Sequence, residues 1–204
     1  MTRRKALGIA AAVTVVVSGT IVTITLIHTN HQRPAGRVTV GTHGTIEQGV
    51  DPGNLSVFAV PGGGSVKLPS SWMRLPPQGG DIALVGYPQP GSPAAGSALT
   101  VRAGPANALP LLKVVDVFTA QQASLHSGWR LIRKSAQQIP GMTSAELVIT
   151  RYNASTSGAG VEVVAQDLIA RDARGRAWHV TVLGPATEVG SRFLDAVTLS
   201  LRAT

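Results

Sequence analysis

Five histidines, ten side-chain carboxylates and no cysteine bound the chemistry open to this 204-residue chain. A histidine beside a carboxylate can move a proton, and beside a hydroxyl it can activate a nucleophile. His126 and His179 fall in well-patterned segments, and Asp167 and Glu162 are the carboxylates that can pair with them. The sharp Gly-x-Ser-x-Gly turn that exposes a hydrolase serine is absent, so these residues are expected to be surface or half-buried groups. Without cysteine there is no thiol nucleophile, thiolate-held metal or disulfide. His28, His31 and His43 lie in a Gly/Pro-rich stretch, where a His-x-x-His spacing lacks the rigid frame and extra ligands a metal needs. Gly62-Gly63-Gly64-Ser65-Val66-Lys67 does not have the spacing of a phosphate-binding loop. No catalytic residue, metal ligand or cofactor is therefore assigned, and the chain is expected not to be an enzyme.

Binding is the remaining chemistry. Trp178 lies in a strand-like run with His179 on its other side, which makes it the candidate lining of a groove for an apolar or sugar ligand. Trp72 and Trp129 are expected in the core, where a large aromatic buries most area. Two basic groups, Arg130, Arg133 and Lys134, then Arg171, Arg174 and Arg176, form a candidate anion-facing surface for lipid or a partner protein. The competing reading is solvated turn residues in an arginine-rich chain. A net charge of +8, moderate and dispersed, does not point to nucleic acid.

The elements that must position these residues begin with an apolar run. Residues 6–27 carry no charge and follow Arg3-Arg4-Lys5. About 22 residues at 1.5 Å rise give a helix of roughly 33 Å, long enough to cross a bilayer core. The run is too long for a secretory signal's apolar region and no small-x-small cleavage site follows. A single transmembrane signal anchor is expected, with residues 1–5 cytoplasmic by the positive-inside rule and the rest extracytoplasmic, on the cell membrane. Residues 28–64 read as a Gly/Pro-rich stalk with short strands at 37–40 and 55–60.

Residues 65–204 read as one domain. Strands are expected at 65–68, 81–87, 98–103, 147–152, 161–171 and 176–183, the last two joined by the turn Asp172-Ala173-Arg174-Gly175. A loop is expected at 153–160. Leu111, Val114, Val115, Phe118, Gln122 and Leu125 repeat at helical spacing before Gly128, and Val189, Phe193, Leu194 and Val197 do so near the end. Strands, a helix, three strands and a helix make an α+β domain, an antiparallel sheet covered by helices.

The order of landmarks resembles a known family. Val66-Lys67-Leu68-Pro69 precedes Trp72; Leu125-His126-Ser127-Gly128-Trp129 ends a helix; Pro140-Gly141-Met142 leads to Ala145; and Phe193-Leu194 leads to Val197 and Leu199-Ser200-Leu201. Over residues 65–204 this is similar to the PsbP-like superfamily, and within it to the LpqN-type envelope proteins of actinobacteria. Arginine far outnumbers lysine, a usage that fits such a GC-rich genome. The resemblance implies an antiparallel sheet sandwiched by helices, acting as a binding or accessory module for an envelope protein or lipid-like ligand, with no shared catalytic residues. LpqN-type proteins usually carry a lipidated cysteine, for which the apolar run would substitute here. The anchor-plus-small-domain layout also resembles membrane-anchored domains associated with type VII secretion.

Overall fold

The computed structural model describes residues 10–17, 20–27, 54–75, 82–88, 97–106, 109–156, 159–186 and 191–204. The architecture is α+β. Seven antiparallel strands form the large sheet: β5 (Met73–Leu75), β6 (Ile82–Tyr87), β7 (Ala98–Ala106), β8 (Ser127–Ala136), β9 (Met142–Thr156), β10 (Ala159–Asp172) and β11 (Arg176–Pro185). Their spatial order is β5-β6-β7-β11-β10-β9-β8. A small sheet, in the order β12-β4-β3, joins β3 (Leu55–Val60), β4 (Gly64–Pro69) and β12 (Arg202–Ala203).

The two helices take opposite faces of the large sheet. Residues of β10 alternate, as strand geometry demands. Val164, Leu168 and Ala170 enter the main core with Trp178, Val180 and Val182 of β11 and with Phe193, Leu194 and Val197 of helix α2 (Ser191–Thr198). The small sheet contributes Val60, Val66 and Leu68 to that core. On the other face Ile169 and Val148 pack with Val115 of helix α1 (Leu111–Leu125). The interior strand β10 thus sends apolar side chains to both faces, although Glu162, Gln166 and Asp167 interrupt its apolar run.

Beyond the short added strands β5 and β12, three elements differ from expectation. First, β9 and β10 pair from Met142 to Thr156 without the loop expected at 153–160: Asn153 stands opposite Glu162 and Ala154 opposite Val161. Polar side chains are compatible with a ladder made by the backbone. Second, Leu55–Val60, expected in the stalk, pairs along its whole length with β4, so the folded unit reaches upstream of residue 65. Third, β8 was not expected, because its residues are mostly exposed and show no alternation.

The apolar N-terminal run also differs. It is built as two paired strands, β1 (Ala10–Val17) and β2 (Thr20–Ile27). Among the described residues no helix is long and apolar enough to cross a membrane. The run is rich in Val, Ile and Thr, whose branched Cβ favours extended backbone. In hydrocarbon a two-stranded hairpin would leave both outer edges without hydrogen-bond partners, whereas a helix satisfies every backbone group internally. Residues 1–9 and 28–53, which hold the expected cytoplasmic tail and most of the stalk, lie outside the described residues.

Candidate functional site

His179 meets a carboxylate on the α1 side of the sheet. Asp167 of β10 stands opposite Thr181 of β11, and His179 lies two residues away on the same face. Asp167 Oδ1 accepts from the Thr181 hydroxyl at 2.6 Å and lies 2.8 Å from His179 Nε2. A hydrolase relay places carboxylate and nucleophile on opposite nitrogens of one imidazole. Here both crowd the same nitrogen, Thr181 Oγ1 being 3.2 Å from Nε2. The hydroxyl gives its proton to the carboxylate, not to an imidazole base. Phe118 of α1 meets the His179 ring edge-on at 4.9 Å.

His126, just past α1, joins the same face differently. Its ring stacks on Tyr152 with centroids 4.0 Å apart, and Nε2 lies 3.1 Å from Gln122 Oε1. Burial pushes His126 below its ordinary value, against an opposing pull from Asp167. Burial, helped by the Asp167 charge, drives the Tyr152 phenol well above its ordinary range. Both rings are therefore neutral near pH 7. The sequence's other carboxylate, Glu162, pairs instead with Arg130 at 2.6 Å and Arg151 at 3.3 Å.

Trp178 does not line a groove. It is 0 % exposed, and its indole nitrogen donates to Asp172 Oδ2 at 3.0 Å. The ring lies so close to the small sheet that a Cβ on Gly64 would sit 2.6 Å from it. This corrects the sequence reading: alternation alone cannot say which face of a strand meets solvent when both faces are covered. Arg176 belongs to the same cluster. Its Nε donates to Asp172 Oδ2 at 2.8 Å, and its guanidinium also donates to the Gly62 carbonyl. The hairpin turn is thereby tied to the glycine turn between β3 and β4.

The basic residues do not form one surface. Arg130 and Arg133 stand opposite Arg151 and Ile149, and Ile149 packs toward the main core. Lys134 stands opposite Val148, on the α1 side, and pairs with Asp116 at 2.8 Å. Arg171 donates to the Leu109 carbonyl ahead of α1. Arg174 sits in the hairpin turn, where its backbone N–H donates to Asp172 at 2.9 Å. Adjacent positions on a strand point to opposite faces, so a cluster in sequence is split in space.

An open cleft was not foreseen. It has a volume of about 390 Å³ and lies between the two sheets. Ala59 and Pro61 border it on the small-sheet side; Met73, Arg74 and Leu75 of β5, with Ala83 and Leu84 of β6, border it on the other; and Trp72 also lines it. The Arg74 guanidinium stacks over the Phe58 ring at 4.2 Å, a cation–π contact that holds the charge at the rim. Nothing in the sequence marks Arg74, because its partner is sixteen residues upstream and no spacing rule links them.

No family model matches the sequence, and no curated protein does. Among solved structures the fold is similar to the Saccharomyces cerevisiae Ran-binding protein Mog1p, with a TM-score of 0.52 and 11% identity, covering 74% of this chain and 95% of that one. It is also similar to LpqN of Mycobacterium tuberculosis, involved in cell envelope biogenesis, with a TM-score of 0.49 and 16% identity over 69% of this chain and 83% of that one. The likeness to Mog1p is one of fold alone.

Proposed function

We propose that this chain is a single-pass membrane-anchored envelope protein whose external domain is a non-catalytic binding or accessory module. The observation that carries the binding role is the open cleft, whose lining mixes apolar side chains with polar surface and includes one cation, Arg74. Concave sites between structural elements are where ligands are usually held. The fold also serves binding in yeast, where Mog1p is a Ran-binding protein. Anchoring is supported by the apolar run and its basic flank.

A hydrolase without a recognisable motif is the alternative, favoured by the close Asp167–His179 pair. Against it stands Thr181, whose hydroxyl is engaged by the carboxylate. The test is a screen of the purified full chain against ester, peptide, phosphoester and glycoside substrates, beside His126→Ala and His179→Ala. The proposal expects no turnover above background. Turnover abolished by either variant would establish the hydrolase.

A further inference from the structure

We propose that the edge of β3, unpaired among the described strands and beside the cleft, binds an extended segment of a partner protein as an added strand, with an acidic side chain of that segment meeting Arg74. The proposal rests on the binding-module reading and names the site and the class of partner.

The two edges of this molecule are treated differently. The large sheet ends at β8 on one side. That strand carries Arg130, Arg133 and Lys134, and its pairing with β9 is broken by two register shifts. Charges and bulges are the devices by which proteins keep an exposed edge from pairing with other chains. The small sheet ends at β3. Its sequence, Leu-Ser-Val-Phe-Ala-Val, has no charge and no proline, and its register against β4 is unbroken. Val57 is 65% exposed on it. An apolar, regular, undefended edge is a liability unless it has a use, and strand addition is that use.

The cleft supplies the rest of the site. The large sheet's other terminal strand, β5, lines it, so two terminal strands border one groove. Arg74 projects there from β5 and is stacked on Phe58 of β3. Among the described residues no carboxylate pairs with Arg74, whereas Arg130, Lys134, Arg151 and Arg176 each have one. Main-chain hydrogen bonds to β3 would give affinity, alternate apolar side chains would enter the cleft, and a carboxylate on Arg74 would fix the register.

The test uses the full chain in neutral phosphatidylcholine nanodiscs and a fluorescent hexapeptide of alternating valine and threonine with one central glutamate. Anisotropy is expected to show saturable binding. N-methylation of alternate peptide amides is expected to weaken it at least tenfold, because the ladder loses its donors. Arg74→Glu is expected to weaken it about tenfold, and a lysine in place of the peptide glutamate to restore it. Val57→Lys, at an exposed position, is expected to abolish binding with an unchanged circular-dichroism spectrum. No binding at millimolar peptide, or equal binding of the N-methylated peptide, overturns strand addition. So does a chain that sediments as a dimer dissociated by Val57→Lys, since a second copy would then occupy the edge. None of these outcomes bears on catalysis, which the substrate screen decides separately.

Discussion

The indole nitrogen of Trp178 donates to Asp172 across 3.0 Å, and the bond ties the main core to the β10–β11 turn. The same carboxylate oxygen accepts from Arg176, and Asp172 Oδ1 accepts from the backbone N–H groups of Arg174 and Arg176. Burial alone would raise this carboxyl, but the hydrogen bonds from Trp178, Arg176 and Arg174 outweigh it and hold it below the ordinary carboxylate value. A carboxyl lowered on folding contributes stability above its unfolded value, near 3.9, and loses it as pH falls through the folded value. Asp172→Asn is therefore expected to lower the melting temperature by a constant amount between pH 5 and 8, with the gap to wild type closing below about pH 4. A gap unchanged at pH 3 would mean that the charge is not what the cluster uses.

The two helix phenylalanines should differ in worth. Phe193 is 1% exposed and lies 5.8 Å from Trp72, ring to ring. Phe118 is only partly buried at the edge of the α1 cluster. Phe193→Ala is expected to cost about 3–5 kcal/mol, and Phe118→Ala about half of that or less. Urea melts of the two variants check the order, and the reverse order would mean that α1, not α2, closes the main core.

His126 supplies an acid-side effect of its own. Burial lowers it on folding, so the unfolded chain takes up the proton first. Stability is then lost as pH falls from about 6.5 toward the folded value. His126→Gln is expected to flatten the stability profile between pH 7 and 5. The check is the change in urea midpoint across that range for wild type and variant.

The apolar run is expected to change conformation with its solvent. A synthetic peptide of residues 1–33 in phospholipid vesicles should give a helical circular-dichroism spectrum, because only a helix satisfies its backbone in hydrocarbon. In aqueous buffer its branched residues should favour extended structure. A strand spectrum in vesicles would remove the single-helix anchor.

The sequence makes the fold class legible through periodicity. Helix α1 falls where the helical spacing places it, and α2 lies within the second helical pattern. The β10–β11 turn falls at Asp172–Gly175 because its Gly175 adopts φ 78°, which glycine tolerates. What was not legible depended on contacts between distant segments. Trp178 is buried because β4 brings Gly64 against it, a relation with no local signature. The Arg74–Phe58 stack and the undefended edge of β3 likewise arise only when the small sheet docks beside β5. His179 meets Asp167, one of the two carboxylates that could pair with it, whereas His126 pairs with neither, and spacing does not say that a threonine hydroxyl would face the carboxylate.

The proposed external domain, held by an uncleaved membrane segment, can be located directly because the chain has no cysteine of its own. Ser124, exposed on α1, is replaced by cysteine in the full chain. Intact spheroplasts are treated with a membrane-impermeant maleimide, and carbonate-washed membranes are then blotted. Labelling before lysis of a full-length, carbonate-resistant protein is the predicted result. Labelling only after lysis, or a labelled protein that washes off the membrane, would rule out an anchored external domain.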